Sequence, residues 1–243
     1  LAGLFSLQDA LLQQRGRILR NIMVRNQNDY ARRVILREVA SATLIRTPGM
    51  GQSGTALVGW KNLDTSNLSC DAACCTACQD PQATSCAPTC AMPALPAFRQ
   101  IWHSLIDLDG DGSKEYADDS EWFRFCLANG KIYYYKGSAG SAGSQSLSFP
   151  TTVDCGDPAG NPETLAGEAS AIVVPFTGAS IFGRPARSNW VSVEFSVISQ
   201  GPVAPGVLES AKADTTTGIQ VLAGNKSGLN PDGTVQAGGG VAW

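Results

Sequence analysis

Histidine is almost missing from this chain: 243 residues contain one, His103. No convincing Ser/His/Asp set can be drawn around a single imidazole, and neither a nucleophile elbow nor a phosphate-binding loop is present. The clustered carboxylates follow calcium-loop order and do not form an isolated acid/base pair. The expectation is therefore a protein that is not an enzyme. Long hydrophobic runs are missing as well. No stretch approaches 18 apolar residues, so no helical membrane span is expected in the chain as given. Residues 1–12 lack the basic segment and cleavage site of a secretory signal. Charged residues make up only 16 % of the chain, while glycine and proline are plentiful at 26 and 13. That balance favours a β-rich, loop-rich body over an all-helical one.

Residues 4–46 read as one long helix. They hold no proline and only Gly16 as a weak point, until Pro48-Gly49 ends the pattern. Apolar residues recur near helical spacing at Leu4, Leu11, Ile18 and Ile22, then at Ala31, Val34, Ile35, Val39 and Ala42. Read as a single stripe, they require a partner surface. A helix of this length spans roughly 65 Å, longer than a compact domain of this size is wide. Eight arginines (15, 17, 20, 25, 32, 33, 37 and 46) oppose Asp9, Asp29 and Glu38, a local balance of +5. Since the whole chain carries −3, the remainder carries −8. The molecule reads as a basic rod, residues 1–47, joined to an acidic body, residues 48–243. The apolar start Leu1-Ala2-Gly3-Leu4-Phe5 suggests a longer helix whose apolar head precedes the chain.

Eight cysteines beside one histidine point to cystines and an extracytoplasmic location. Six of them (Cys70, Cys74, Cys75, Cys78, Cys86 and Cys90) crowd into a segment with little to bury, which reads as a disulfide-stapled insertion over residues 70–90. Zinc would want a second well-spaced pair or histidine ligands. A redox role for Cys75-x-x-Cys78 would want a βαβ context. Six cysteines allow 15 pairings, and the sequence does not choose among them. Cys126 and Cys155 remain and are expected to pair with each other.

The most specific motif is the acidic run over 107–118. Asp107, Asp109 and Asp111 fall at the first, third and fifth positions of a calcium loop. Gly112 permits the turn, Ser113 offers a carbonyl, and Glu115 sits where a ligand often binds through water. Asp118 holds the twelfth position, with Asp119 or Glu121 as substitutes. The calcium expected here is held by an isolated loop, because the exit looks like a strand and not a helix. The literal G-x-G-x-x-G of residues 49–54 follows a helix and leads into a strand, so it reads as a turn.

Residues 92–106 suggest a short helix. Asn129-Gly130 between the aromatic runs 121–127 and 131–135 is a hairpin signal, and the rings of Tyr133, Tyr134 and Tyr135 should alternate between core and surface. Residues 171–176 read as a buried strand, 190–198 as a half-buried antiparallel strand, and 219–222 as a short last strand. The fold class expected is α+β: a long N-terminal helix on an antiparallel sheet, with a disulfide-rich loop insertion.

The helix end Leu36-Arg37-Glu38-Val39-Ala40-Ser41-Ala42, followed by the strand pattern at 122–127, 131–135 and 191–197, resembles the type IV pilin-like proteins. The likeness is closest to the J/W-type minor pilins and type II secretion pseudopilins. It covers the helix well and the sheet loosely, and it leaves the cysteine-rich insertion unexplained. The family's processed Phe-Thr-x-x-Glu start is not in this sequence. The resemblance implies a structural subunit that helps assemble or tip a type IV pilus or type II secretion pseudopilus. Its helix would pack on other pilin or pseudopilin subunits. An apolar helix head would anchor it in the inner membrane before assembly, and its head would stand in the periplasm or on the cell surface. A second reading is a secreted calcium-binding adhesin or carbohydrate-associated module. No nucleic-acid partner is expected, although the basic rod leaves DNA capture as a third reading.

Overall fold

The computed structural model describes residues 2–49, 51–64, 103–104, 110, 121–138, 154–185, 190–204 and 207–221. Among the described residues, one α-helix, α1 (Ala2–Ala40), is followed by twelve strands. Five of them form an antiparallel sheet in the order β1 (Ala42–Thr47), β3 (Ala56–Lys61), β6 (Glu121–Ala128), β7 (Lys131–Ser138), β8 (Glu163–Ala166). A second sheet runs β12 (Val207–Gln220), β11 (Trp190–Ala204), β10 (Phe182–Gly183), β2 (Ser53–Gly54), with β9 (Ala171–Pro175) also paired to β11. A small ladder joins β4 (Leu63–Asp64) to β5 (His103–Ser104). The two large sheets meet where the chain passes from β2 to β3, with Leu127 N donating to the Thr55 carbonyl at 2.9 Å, and again at the β6–β7 turn, where Val173 N of β9 donates to the Gly130 carbonyl at 2.7 Å. The protein is α+β.

The hairpin of β6 and β7 forms where Asn129-Gly130 predicts it. Both residues take positive φ, 51° and 69°, as a two-residue turn matched to strand twist requires. Along β11, Val191, Val193, Phe195 and Val197 are all fully buried, the alternation that the sequence carries. Tyr134 stacks on Phe125 with ring centroids 4.8 Å apart. Tyr135 is buried too, so the expected alternation of the tyrosines fails at this pair: the Tyr135 hydroxyl accepts from Gly156 N at 2.7 Å, which keeps the ring inside under the loop that carries Cys155. Cys126 and Cys155 form a disulfide. Gly59 has to be glycine: a Cβ there would lie 2.6 Å from the Phe123 ring and 2.8 Å from the Leu44 carbonyl.

Other expectations about the elements are corrected. The helix ends at Ala40, not near residue 46. Ser41 Oγ donates to the Glu38 carbonyl at 3.0 Å, and residues 42–47 become β1, paired with β3 and buried from Ala42 to Ile45. A straight continuation would have left those side chains in water. The strand at 171–175 is not buried on both faces, since Ile172 is 52 % exposed. The last strand is 14 residues long and not a short run after Ile219. Finally, His103–Ser104 is a strand and not part of a helix. The rest of the expected 92–106 helix lies outside the described residues.

The apolar residues of α1 do not form one stripe. Val24, Ala31, Val34, Ile35 and Val39 are buried against the sheets. Leu11, Ile18 and Ile22 are 57, 52 and 49 % exposed. At about 100° per residue, Leu11 and Val24 lie roughly 140° apart round the axis. The helix therefore has two apolar faces on nearly opposite sides, one in each half.

Candidate assembly surface on the helix

The buried half of α1 is tied down by polar contacts as well as packing. Asn28, itself buried, accepts a hydrogen bond from Thr215 Oγ1 at 2.7 Å and donates to the Asp214 carbonyl at 3.3 Å. That carbonyl lies on the open edge of β12. Glu194 turns its own backbone groups toward Phe176 and Ile181, so alternation aims those of its β12 partner Thr216, and of Asp214 two residues earlier, away from β11. The helix thus covers an edge that would otherwise invite strand pairing. Gln27 Oε1 accepts from the backbone N–H groups of Gly167 and Glu168 at 2.9 and 3.1 Å. The Tyr30 hydroxyl donates to the Glu163 carboxylate, which raises the tyrosine's pKa. Ser196 donates to Asp214 at 2.7 Å and, with Lys212, holds that carboxyl below its ordinary pKa.

A buried charge locks the helix end. Glu38 is only 3 % exposed. Lys61 Nζ lies 2.8 Å from one of its carboxylate oxygens, and Arg37 contacts the other at 2.8–2.9 Å. Lys61 also pairs with Glu121 at 2.7 Å. Burial acts to raise the Glu38 pKa, but hydrogen bonds from Lys61 and Arg37 outweigh it and hold the carboxyl below its usual value. Burial likewise acts to lower the Lys61 pKa, and its bonds to Glu121 and Glu38 reverse the sign. Tyr134, buried beside Glu38, is pushed up. This cluster was missed in the sequence, although Glu38 falls four residues after Val34 and seven after Ala31, on the buried side of the helix. The ion pair also engages Glu121, one of the substitute calcium ligands.

Toward its N-terminal half the helix still rests on the β11–β12 ribbon. Arg17 pairs with Glu209 at 2.6 Å, and Arg20 reaches the Pro202 carbonyl at 3.5 Å. Two of the helix's arginines are therefore engaged by their own chain. The opposite side is open. Leu11, Arg15, Ile18, Ile22, Arg25, Asp29, Arg32 and Leu36 follow one another at alternating steps of four and three, and all are exposed. That spacing is the seam pattern by which one helix packs lengthwise on another.

The calcium-loop residues Asp107, Asp109, Asp111, Ser113, Glu115 and Asp118 lie outside the described residues, as do Cys70, Cys74, Cys75, Cys78, Cys86 and Cys90. Among the described residues no group of three or more histidines, cysteines or carboxylates is placed to hold a metal. No described helix is long and apolar enough to cross a membrane. The architecture defines an α+β protein with a long, two-faced helix. Comparison with family models, curated proteins and solved structures finds no match to the chain.

Proposed function

We propose that this protein is a structural subunit of a pilin-like filament, a minor pilin or pseudopilin, with α1 as its assembly rod. One observation carries the reading: the helix has two nearly opposed apolar faces, and among the described residues only that of Val24–Val39 is covered by the sheets. The helix is 39 residues long, roughly 58 Å, and an exposed stripe of leucine and isoleucine along such a rod is a surface for other subunits. In this reading the head stands outside the cytoplasm. It is stiffened by the Cys126–Cys155 disulfide, by cystines within 70–90 and by calcium held on Asp107, Asp109, Asp111, Ser113, Glu115 and Asp118.

The test is incorporation. The tagged protein is expressed in its source cells and sheared surface filaments, or the pseudopilus fraction, are collected. Wild type and Leu208→Asp, an exposed position on the β11–β12 ribbon, are expected in that fraction. Ile18→Asp is expected to be lost from it while keeping its thermal stability. Absence of the wild-type protein from the fraction, or equal incorporation of Ile18→Asp, would sink the reading.

A further inference from the structure

We infer that the open face of α1 takes an amphipathic helix from a different chain, one that carries carboxylates within its own apolar seam, and not a second copy of this protein. The inference rests on the filament-rod reading and deepens it by giving the partner's chemistry. Leu11, Ile18 and Ile22 supply the apolar positions of the seam, but Arg15, Arg25 and Arg32 stand in the same four-three register. Among the described residues none of these three arginines makes an ion pair with a carboxylate.

Charges in a helix–helix seam decide which partner is accepted. A polar residue at a seam position fixes register and oligomeric state, and a charge covered without a counter-charge is strongly unfavourable. Two copies packed in parallel and in register would set Arg15, Arg25 and Arg32 each against its own twin. An antiparallel pair has only Asp29 in each seam to oppose those arginines. Self-pairing therefore sets like charges together in the parallel pair and, in the antiparallel one, leaves more arginines than Asp29 can neutralise. A helix with Asp or Glu at seam positions ten and seven residues apart, matching the spacing of the three arginines, neutralises them and packs on the leucine and isoleucine between. The face combines apolar attraction with a charge rule that rejects its own kind.

The experiment uses the full chain and three fluorescein-labelled synthetic helices with one Leu/Ile seam. They carry Glu, Gln or Arg at the three positions that would meet Arg15, Arg25 and Arg32. Binding is read by anisotropy at low and high salt, and self-association by sedimentation. The Glu helix is expected to bind at least tenfold more tightly than the Gln helix and to lose that advantage in high salt, with the Arg helix weakest. The triple variant Arg15→Glu/Arg25→Glu/Arg32→Glu is expected to invert the order, and its unchanged melting temperature would show that it folds. Equal binding of all three helices would overturn the charge rule while leaving the filament reading intact. Binding of none would overturn the inference, as would a dimer of the chain alone that Ile18→Asp abolishes. A chain that selects the Glu helix but is missing from the filament fraction would fail the filament reading only.

Discussion

Replacing Lys61 by methionine should destabilise the protein far more than an exposed ion pair would suggest. The lysine is the partner of one Glu38 oxygen at 2.8 Å, and the glutamate side chain is only 4 % exposed. Its loss leaves a buried carboxylate with Arg37 alone, a side chain that is 68 % exposed. Removing one member of a buried pair costs about 3–5 kcal/mol. The remaining Arg37 contact and the partial exposure of Lys61 reduce this to about 2–3 kcal/mol. For a chain of this size that corresponds to a fall in Tm of roughly 5–10 °C. Glu121 also loses its partner, but it is half exposed and water takes the place of the pair at little cost. The double variant Glu38→Leu/Lys61→Met removes the stranded charge and should recover most of the loss. Calorimetry on the two variants and wild type decides the matter. A Lys61→Met protein that melts within one or two degrees of wild type, or a double variant no better than the single, would refute the reasoning. The pH dependence has a definite sign. The Glu38 pKa is lowered in the folded state, so its contribution is complete above the ordinary carboxylate value and is lost as pH falls through the lowered one. The Lys61 pKa is raised, so its contribution is complete below the ordinary lysine value and is lost as pH rises through the raised one. Wild type should therefore lose more stability on acidification than the double variant.

Other expectations follow from the same contacts. Asn28→Ala strands the buried Thr215 hydroxyl, so it should cost about 1–3 kcal/mol; an unchanged unfolding midpoint would contradict the role given to that bond. Replacing Cys126 and Cys155 together by alanine opens a loop of 29 residues, for which chain entropy predicts a loss of about 3–4 kcal/mol. Denaturant unfolding of oxidised wild type against the variant measures it. Calcium titrated into EGTA-stripped protein should raise Tm, with the heat of binding abolished in Asp109→Ala/Asp111→Ala. No binding up to several millimolar would reduce residues 107–118 to an acidic turn.

Local chemistry made part of this fold legible. Asn129-Gly130 between aromatic runs specifies a hairpin because only a few residue types accept positive φ at both positions. The alternation from Val191 to Val197 reveals a half-buried strand because side chains change face at every residue. Cys126 and Cys155 stood apart from the dense cysteine segment and are joined. The rod is visible from a run without proline, and its seam spacing can be read directly. What that seam faces was decided elsewhere. The strand pairing of Leu44 with Trp60, made by residues 16 apart, ends the helix at Ala40 although residues 41–46 remain compatible with helix. The 14 residues of β12 carry weak local signals and form a strand because β11 and α1 flank them. Glu38, Lys61 and Glu121 are separate charges in sequence and become one ion-pair cluster around the buried Glu38 only when the helix end, β3 and β6 converge. Periodicity shows that a helix has apolar residues and how they are spaced. Only the position of the sheets determines which of them are buried and which stay open to another molecule.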